Sequence, residues 1–167
     1  MHKFRNPELG RLARIAHRLK ATMMYLDAQD LFSDAQALTG NVVSTNIIDF
    51  GQDRNIGIGE PLVVVVGIDV AAGGTTPTLQ VTIQADDNSG FASPGTVATG
   101  PTWAAAVLTA GAQFVIPVPP DLLTERFMRL SYTVGGTSPT VTVTAFLQPA
   151  SMVQNAVLYA SGIPVIS

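Results

Sequence analysis

Carboxylates are the side chains with which this sequence could carry out catalytic or metal chemistry. Asp49, Asp53 and Glu60 bracket a loop that spans residues 51 to 59. A glycosidase needs two carboxylates that face a cleft about 5–10 Å apart, but closeness in sequence does not supply that geometry. Solvated acids that cap turns are the favoured interpretation. The acidic run at residues 86–90 has some features of a calcium loop, yet it lacks the distal bidentate Glu, so hairpin chemistry is favoured there as well.

Other catalytic routes lack the residue types that they require. Both histidines, His2 and His17, lie in the first 20 residues, and beyond residue 20 the chain has no Lys, His or Cys. A Ser-His-Asp arrangement, a Lys or thiol nucleophile, and histidine or thiolate metal sites therefore have no place in the main part of the chain. We predict a non-enzymatic protein that uses no cofactor and no metal.

The basic residues are concentrated at one end of the chain. Of nine Lys and Arg residues, six lie in the first 20 positions: Lys3, Arg5, Arg11, Arg14, Arg18 and Lys20. The rest of the chain holds three arginines and every acidic residue except Glu8. This asymmetry indicates an interaction arm on an acidic body. Charged residues make up only 13% of the chain, so we expect much of the surface to face other protein in a homo-oligomer, with a dimer slightly ahead of a trimer.

The basic arm, residues 1–23, has the pattern of an amphipathic helix from about residue 7 to residue 20. Asn6 suits the N-cap and Pro7 the first helical position, and apolar residues recur at three- and four-residue spacing. The apolar stripe favours a protein groove, while the acidic body disfavours nucleic acid and anionic membrane as partners. A helix folded onto its own body is the alternative. The expected partner-binding residues are Leu9, Arg11, Leu12, Arg14, Ile15, Arg18 and Leu19.

From residue 41 onward, short alternating runs predict β-strands. Leu79, Val81 and Ile83 alternate with polar residues, as do the stretches 127–134 and 140–145, and this period of two is typical of half-buried strands. Residues 62–68 form a continuous β-branched run, and residues 42–50 and 112–118 are further candidates. Turn residues, including Gly73-Gly74 and Gly135-Gly136, separate these runs. We predict an all-β fold, an antiparallel jelly-roll-like sandwich over residues 24–148, and leave residues 25–40 open between a short helix and a turn-rich connection.

The C-terminal tail, residues 149–167, is apolar and has no charged side chain. Left in water it would promote aggregation, so it is expected to pack on its own body or to add a strand to a neighbouring subunit. The partner-binding residues expected in this tail are Val157, Leu158, Tyr159, Ile163, Val165 and Ile166.

Five segments, in order and at consistent spacing, resemble one known family. They are 25–29 (YLDAQ), 31–36 (LFSDAQ), 44–51 (STNIIDFG), 57–62 (GIGEPL) and 125–134 (ERFMRLSYTV). Between about Met24 and Leu147 the chain resembles the capsid cement, or decoration, proteins of Bordetella-phage-type tailed bacteriophages. Residues 1–23 depart from that pattern, which makes Met24 a possible alternative start.

The resemblance implies a jelly-roll-like protein without catalytic residues. Such a protein is made in the host cytoplasm and binds the outer surface of an icosahedral phage head, where it bridges subunits of the major capsid protein. The alternative function is a carbohydrate-binding β-sandwich on the virion, in which Trp103, Tyr25 or Tyr132 would stack on a sugar. A carboxylate glycosidase ranks last.

Overall fold

The computed structural model describes residues 27–53 and 59–153. The predicted helix over residues 7–20, the arm residues from Leu9 to Leu19 and the tail residues from Val157 to Ile166 lie outside these ranges. Within the described ranges, no helix is long and apolar enough to cross a membrane.

The described residues form one eight-stranded antiparallel sheet, so the all-β prediction is confirmed. Short 3-10 helices at Ala28–Asp30 and Pro120–Leu122 accompany these strands, and residues 150–153 are α-helical. The strands are β1 (Leu31–Leu38), β2 (Val42–Val43), β3 (Ile48–Asp49), β4 (Leu62–Asp86), β5 (Gly95–Thr99), β6 (Trp103–Ala104), β7 (Gln113–Pro117) and β8 (Phe127–Pro149).

Two long strands, β4 and β8, are the backbone of the sheet. They pair with each other from Leu62 opposite Pro149 to Asp86 opposite Phe127, and every other strand pairs with one of these two. The first half of β4 has β7 as its second neighbour, and the second half has β5 and β6. The first half of β8 is flanked by β2 and β3, and its second half by β1.

Strand β8 folds back on itself. Tyr132 precedes Ala145 by 13 residues, a distance of roughly 40 Å along a straight strand. Ser33 of β1 lies opposite Ala145 in the sheet, yet its Oγ is 2.7 Å from the Tyr132 Oη. The two halves of β8, and of β4 paired with it, therefore face each other.

The bend occurs where a six-residue pattern is repeated, Gly-Gly-Thr-Thr-Pro-Thr at residues 73–78 and Gly-Gly-Thr-Ser-Pro-Thr at residues 135–140. The pairing register shifts several times between Ile68 and Thr78. Gly74 and Gly136 have φ of 96° and 111°, and Thr76 and Ser138, each two residues later, have φ of 48° and 49°. Left-handed backbone is favourable for glycine and costly for other residues. Equivalent positions of the two strands therefore carry the same kink.

The kinked backbones approach too closely for side chains at the glycines. A Cβ on Gly74 would lie 2.5 Å from the carbonyl oxygen of Ser138, and one on Gly136 would lie 2.7 Å from the carbonyl oxygen of Thr75. The contacts at Gly73 and Gly135 are related in the same way, to the hydroxyls of Thr140 and Thr78. The contacts between the two paired strands at this bend are related by approximate two-fold symmetry. The sequence-based prediction that these glycine pairs end strands is wrong, because both strands run through them.

One hydrophobic core fills the space between the facing halves. Val64, Val66 and Ile68 of the first half of β4 belong to the same cluster as Leu79, Val81 and Ile83 of its second half. Strand β1 adds Phe32 and Leu38, both fully buried. Residues 25–40, left open from sequence, thus include a core strand. The stretch 42–50 also differs, since it forms two short strands instead of one, and strands β5 and β6 were not predicted.

Alanine in place of Gly74 is expected to destabilise the fold strongly. The positive φ costs about 1–2 kcal/mol for a residue with a Cβ, and the clash with the Ser138 carbonyl adds roughly 1–3 kcal/mol of overpacking. Gly111 is the matched control, since it has φ of 85° but nothing within 4 Å of its Cβ position. Gly111→Ala should show the conformational cost alone. Urea unfolding measures both variants, and equal losses of stability would contradict the close packing of the two strands at the bend.

Candidate functional site

Two of the three acidic residues proposed from sequence for carboxylate chemistry are engaged in structural contacts. Asp49 is bound by Arg126, and the Glu60 Oε1 accepts a hydrogen bond from the Ser151 hydroxyl. Asp53 lies at the edge of the described ranges. Among residues 27–53 and 59–153, no group of three or more His, Cys, Asp or Glu side chains could hold a metal ion. The carboxylates thus fasten loops and strands.

Asp49 and Arg126 form a bidentate ion pair at the start of β8. The Arg126 Nε and Nη2 donate to the two Asp49 oxygens at 2.7 and 2.8 Å, and the Gly51 N–H donates to the same carboxylate at 2.7 Å. The hydrogen bonds from Arg126, which have the largest effect, and the one from Gly51 lower the pKa of Asp49 to about 2. The Arg126 guanidinium also lies 4.8 Å from the centre of the Phe127 ring. The pair therefore ties β3 and the following loop to β8.

Arg129 holds the turn that joins β4 to β5. Its guanidinium carbon lies 4.2 Å from the centre of the Phe91 ring, and its Nε donates to the Gln84 Oε1 at 2.9 Å. The two oxygens of Asp86 accept from the N–H groups of Asn88 and Ser93, both at 2.9 Å. The acidic run from residue 86 is thus a capped turn, in agreement with the hairpin interpretation.

A buried polar network joins the two halves of the sheet. Ser33 Oγ donates to the Gln36 Oε1 at 2.7 Å, so the Tyr132 hydroxyl is the donor in its own 2.7 Å hydrogen bond to Ser33. The Gln36 amide donates to the Val43 carbonyl and accepts from the Thr45 N–H. Burial raises the pKa of the fully buried Tyr132. Ser33 and Gln36 lie in the segment 31–36, which resembles the cement proteins. That resemblance was the sequence feature that could have identified them as important residues.

The aromatic residues considered for sugar stacking are held within the fold. Trp103 is half-buried, and its ring stacks on Phe114 with the ring centres 4.4 Å apart. Tyr132 is completely buried, and Tyr25 lies outside the described residues. In the part of the chain that the structure describes, every buried side-chain polar atom has a hydrogen-bond partner. These aromatic and polar contacts are suited to holding the shape of the fold.

Removing the Tyr132 hydroxyl should weaken the contact between the two halves. Tyr132→Phe is expected to lower the free energy of unfolding by about 1 kcal/mol, the net value of a buried hydrogen bond. The double variant with Ser33→Ala should cost less than the sum of the two single variants, because both remove the same bond. Strict additivity in chemical denaturation would contradict this coupling.

The Asp49 pair should stabilise the protein in a pH-dependent way. The folded pKa of about 2 lies below the unfolded value of about 3.9, so the contribution is fully present above about pH 4. It disappears as the pH falls towards 2. Asp49→Asn should therefore be less stable than the wild type at pH 6, and the difference should shrink at pH 2.

The matched variant for the Asp49 prediction is Arg126→Gln. It should retain part of the pH dependence, since the Gly51 N–H still donates to Asp49. Thermal unfolding from pH 2 to pH 6 measures all three proteins. A difference between the wild type and Asp49→Asn that does not change with pH would contradict the assignment.

Comparison with known proteins places these contacts in a family. The family model Bbp16 matches residues 32–147, which include every strand from β1 to the last part of β8. The search of curated proteins found no match. The matched region contains the Asp49 pair, the Arg129 contacts and the buried network described above. By this match the chain belongs to the Bbp16 family of Bordetella phage proteins and is a phage structural protein associated with the virion.

Proposed function

We propose that this chain is a non-enzymatic cement protein that binds the outside of the phage head and bridges neighbouring subunits of the major capsid protein. The observation that carries the proposal is the match to a phage structural family over residues 32–147. The polar contacts described above support it, because Asp49, Arg126 and Arg129 hold strands and turns together. A rigid body with few charges is what a cement protein needs to occupy a fixed site on a shell.

The order of the strands supports a jelly roll as the detailed fold. Across the end where β4 begins, the order is β1, β8, β4, β7, and across the other end it is β3, β8, β4, β5. Two facing four-stranded layers whose strands cross between them are the layout of a jelly roll. In this chain the two central strands of both layers would be β4 and β8, because each of these long strands bends and continues from one layer into the other.

Exposed apolar side chains support contact with other protein. Val42 and Ile47 are 41% and 42% exposed, and Val43 between them is 38% exposed. They lie on and beside the short edge strand β2, which pairs with β8. Apolar surface at an edge strand favours burial against a partner.

The two chain ends would supply further contacts. In this proposal the arginines of the arm face acidic patches on the capsid. The apolar tail, from Val157 to Ile166, packs on capsid protein or on a second copy of this chain in a homodimer. A carbohydrate-binding function has no comparable support, because Tyr132 is completely buried and the half-buried Trp103 stacks on Phe114 within the fold.

Capsids that carry this protein should withstand a higher temperature than capsids without it. A ligand that binds the intact shell stabilises it by mass action, by about 2.7 kcal/mol per site at a concentration 100 times the Kd. The measurement compares heat disruption of purified capsids with and without added protein, followed by light scattering. The Gly74→Ala variant, expected to be poorly folded, is the control. Equal disruption temperatures for bare and decorated capsids would contradict the proposal.

A further inference from the structure

We propose that this chain binds the phage head through one end of its folded body, the end at which the N-terminal arm and the C-terminal tail leave the sheet. This end, called the base here, carries the exposed side chains of Leu122 and Met152. The opposite end, where β4 and β8 bend, faces away from the shell. The inference rests on the capsid-binding function proposed above and names the surface that performs it.

The strand register places both chain ends at the base. Leu31, the first residue of β1, lies opposite Phe146 near the end of β8. Leu62, the first residue of β4, lies opposite Pro149, the last residue of β8. The arm and the tail are therefore attached close to each other, beside the start of β4.

Leu122 and Met152 lie at the same end. The Val118 N–H donates to the Leu62 carbonyl at 3.0 Å, and β8 ends opposite Leu62, so the segments that lead to both residues pass the start of β4. Leu123 is 1% exposed and belongs to the core, whereas Leu122 and Met152 are 57% and 55% exposed. Burial of these two side chains against a partner would contribute to the free energy of binding.

The other ends of β4 and β8 also lie at the base, because the two strands double back. Tyr132, five residues after the start of β8, contacts Ser33. Ser33 lies opposite Ala145, four residues before the end of β8. The two ends of β8 are therefore at the same end of the body. Since β4 pairs with β8 throughout, Asp86 at the end of β4 lies at the same end as Leu62 at its start.

Charge distinguishes the base from the bend. Among the residues that the structure describes, the charged ones lie at the base except for Asp34 and Asp69. Those at the base fall in residues 27–30, 49–53, 60, 86–87 and 121–129. By contrast, residues 70–85 and 130–149, which contain the bend, have no charged side chain. Electrostatic complementarity, which selects the partner and its orientation, is therefore available at the base and absent at the bend.

The arm can meet a partner at the base with little extension. Residues 21–26 connect the predicted arm helix to Asp27, and six extended residues span about 20 Å. Gly73 in the bend follows Leu62 by 11 residues, a distance of about 35 Å along a strand. A shell at the bend would require the linker and the helix to stretch along the body. A shell at the base meets the arm, the tail and the exposed apolar side chains together.

The partner expected at the base is the major capsid protein, through an apolar recess surrounded by charges of both signs. Leu122 and Met152 enter the recess, and basic groups beside it face Asp121 and Glu60. Acidic groups farther out bind the arginines of the arm. A second copy of this chain fits the base less well, because the acidic residues of the two bases would face each other.

The protein contains no cysteine, so single cysteines can show which end is covered. Leu122→Cys and Met152→Cys report on the base. Val70→Cys and Val107→Cys are the matched controls, because these valines are 59% and 47% exposed and lie beside the bend, where the Ala72 N–H donates to the Leu108 carbonyl. In free protein, all four cysteines should react with N-ethylmaleimide at similar rates. On purified capsids, the base cysteines should react at least tenfold more slowly and the controls at an unchanged rate, as measured by mass spectrometry.

Three patterns of reaction would overturn the inference. Protection of the controls alone would place the bend against the shell, and equal protection of all four cysteines would leave no preferred end. Protection of the base cysteines in concentrated free protein would assign the base to a second copy. Sedimentation with capsids separates this inference from the proposed function. Protein that sediments with the opposite protection pattern contradicts the orientation alone, whereas protein that does not sediment contradicts both.

The affinity for capsids offers a second measurement. Leu122→Asp should raise the Kd at least tenfold, because it places a carboxylate where the contact buries an apolar side chain, and Val107→Asp should leave the Kd unchanged. Both positions are exposed, so thermal unfolding of both variants should match the wild type. Met152→Asp repeats the test at the second apolar residue of the base. Wild-type affinity in both Leu122→Asp and Met152→Asp would contradict the inference.

Discussion

The fold depends on the close approach of the paired strands β4 and β8 at their glycine pairs. The two strands pair with each other over their whole length. A straight two-stranded ribbon of that length would leave its apolar face, which carries many valines and leucines, exposed to water. There, the left-handed backbone of Gly74 and Gly136 and the missing side chains allow both strands to bend at the same place. The hydrophobic effect then closes the two halves onto each other, because each half supplies the apolar face that the other needs.

The polar contacts are arranged where this closure needs support. The Tyr132 hydroxyl meets Ser33 across the core, so the distance between the halves is fixed by a directional bond as well as by packing. The ion pair of Asp49 with Arg126 and the stacking of Arg129 on Phe91 fasten the outer strand and the turn at the far end. An exposed ion pair alone contributes little. The Asp49–Arg126 pair is bidentate and Asp49 also accepts from the Gly51 N–H, so the pair fixes the position of the loop after β3 relative to β8.

Sequence patterns predicted which segments form strands better than they predicted where those strands continue or end. Alternation identified the strand segments around Leu79 and Val141, and β-branched residues identified the one that begins at Leu62. The glycine pairs were interpreted as turns, because Gly-Gly is a strong local turn signal and the register that carries a strand through it is set by a partner far away in sequence. Strand β1 was missed because its burial pattern is interrupted by a bulge between Ser33 and Gln36. The site residues Ser33 and Gln36 entered only through the resemblance, since nothing local marks a serine as a contact to a tyrosine 99 positions away.

The distribution of charge connects this fold to its function. The arginines among the described residues are Arg126 and Arg129. Arg126 binds Asp49 of β3, and Arg129 binds Gln84 of β4, so both hold β8 to neighbouring strands. A body that uses these cations internally presents mostly acidic and neutral groups to a partner. Electrostatic attraction to an acidic shell would then have to come from the arm, and the arm can contribute in a defined orientation only if its apolar side is already satisfied.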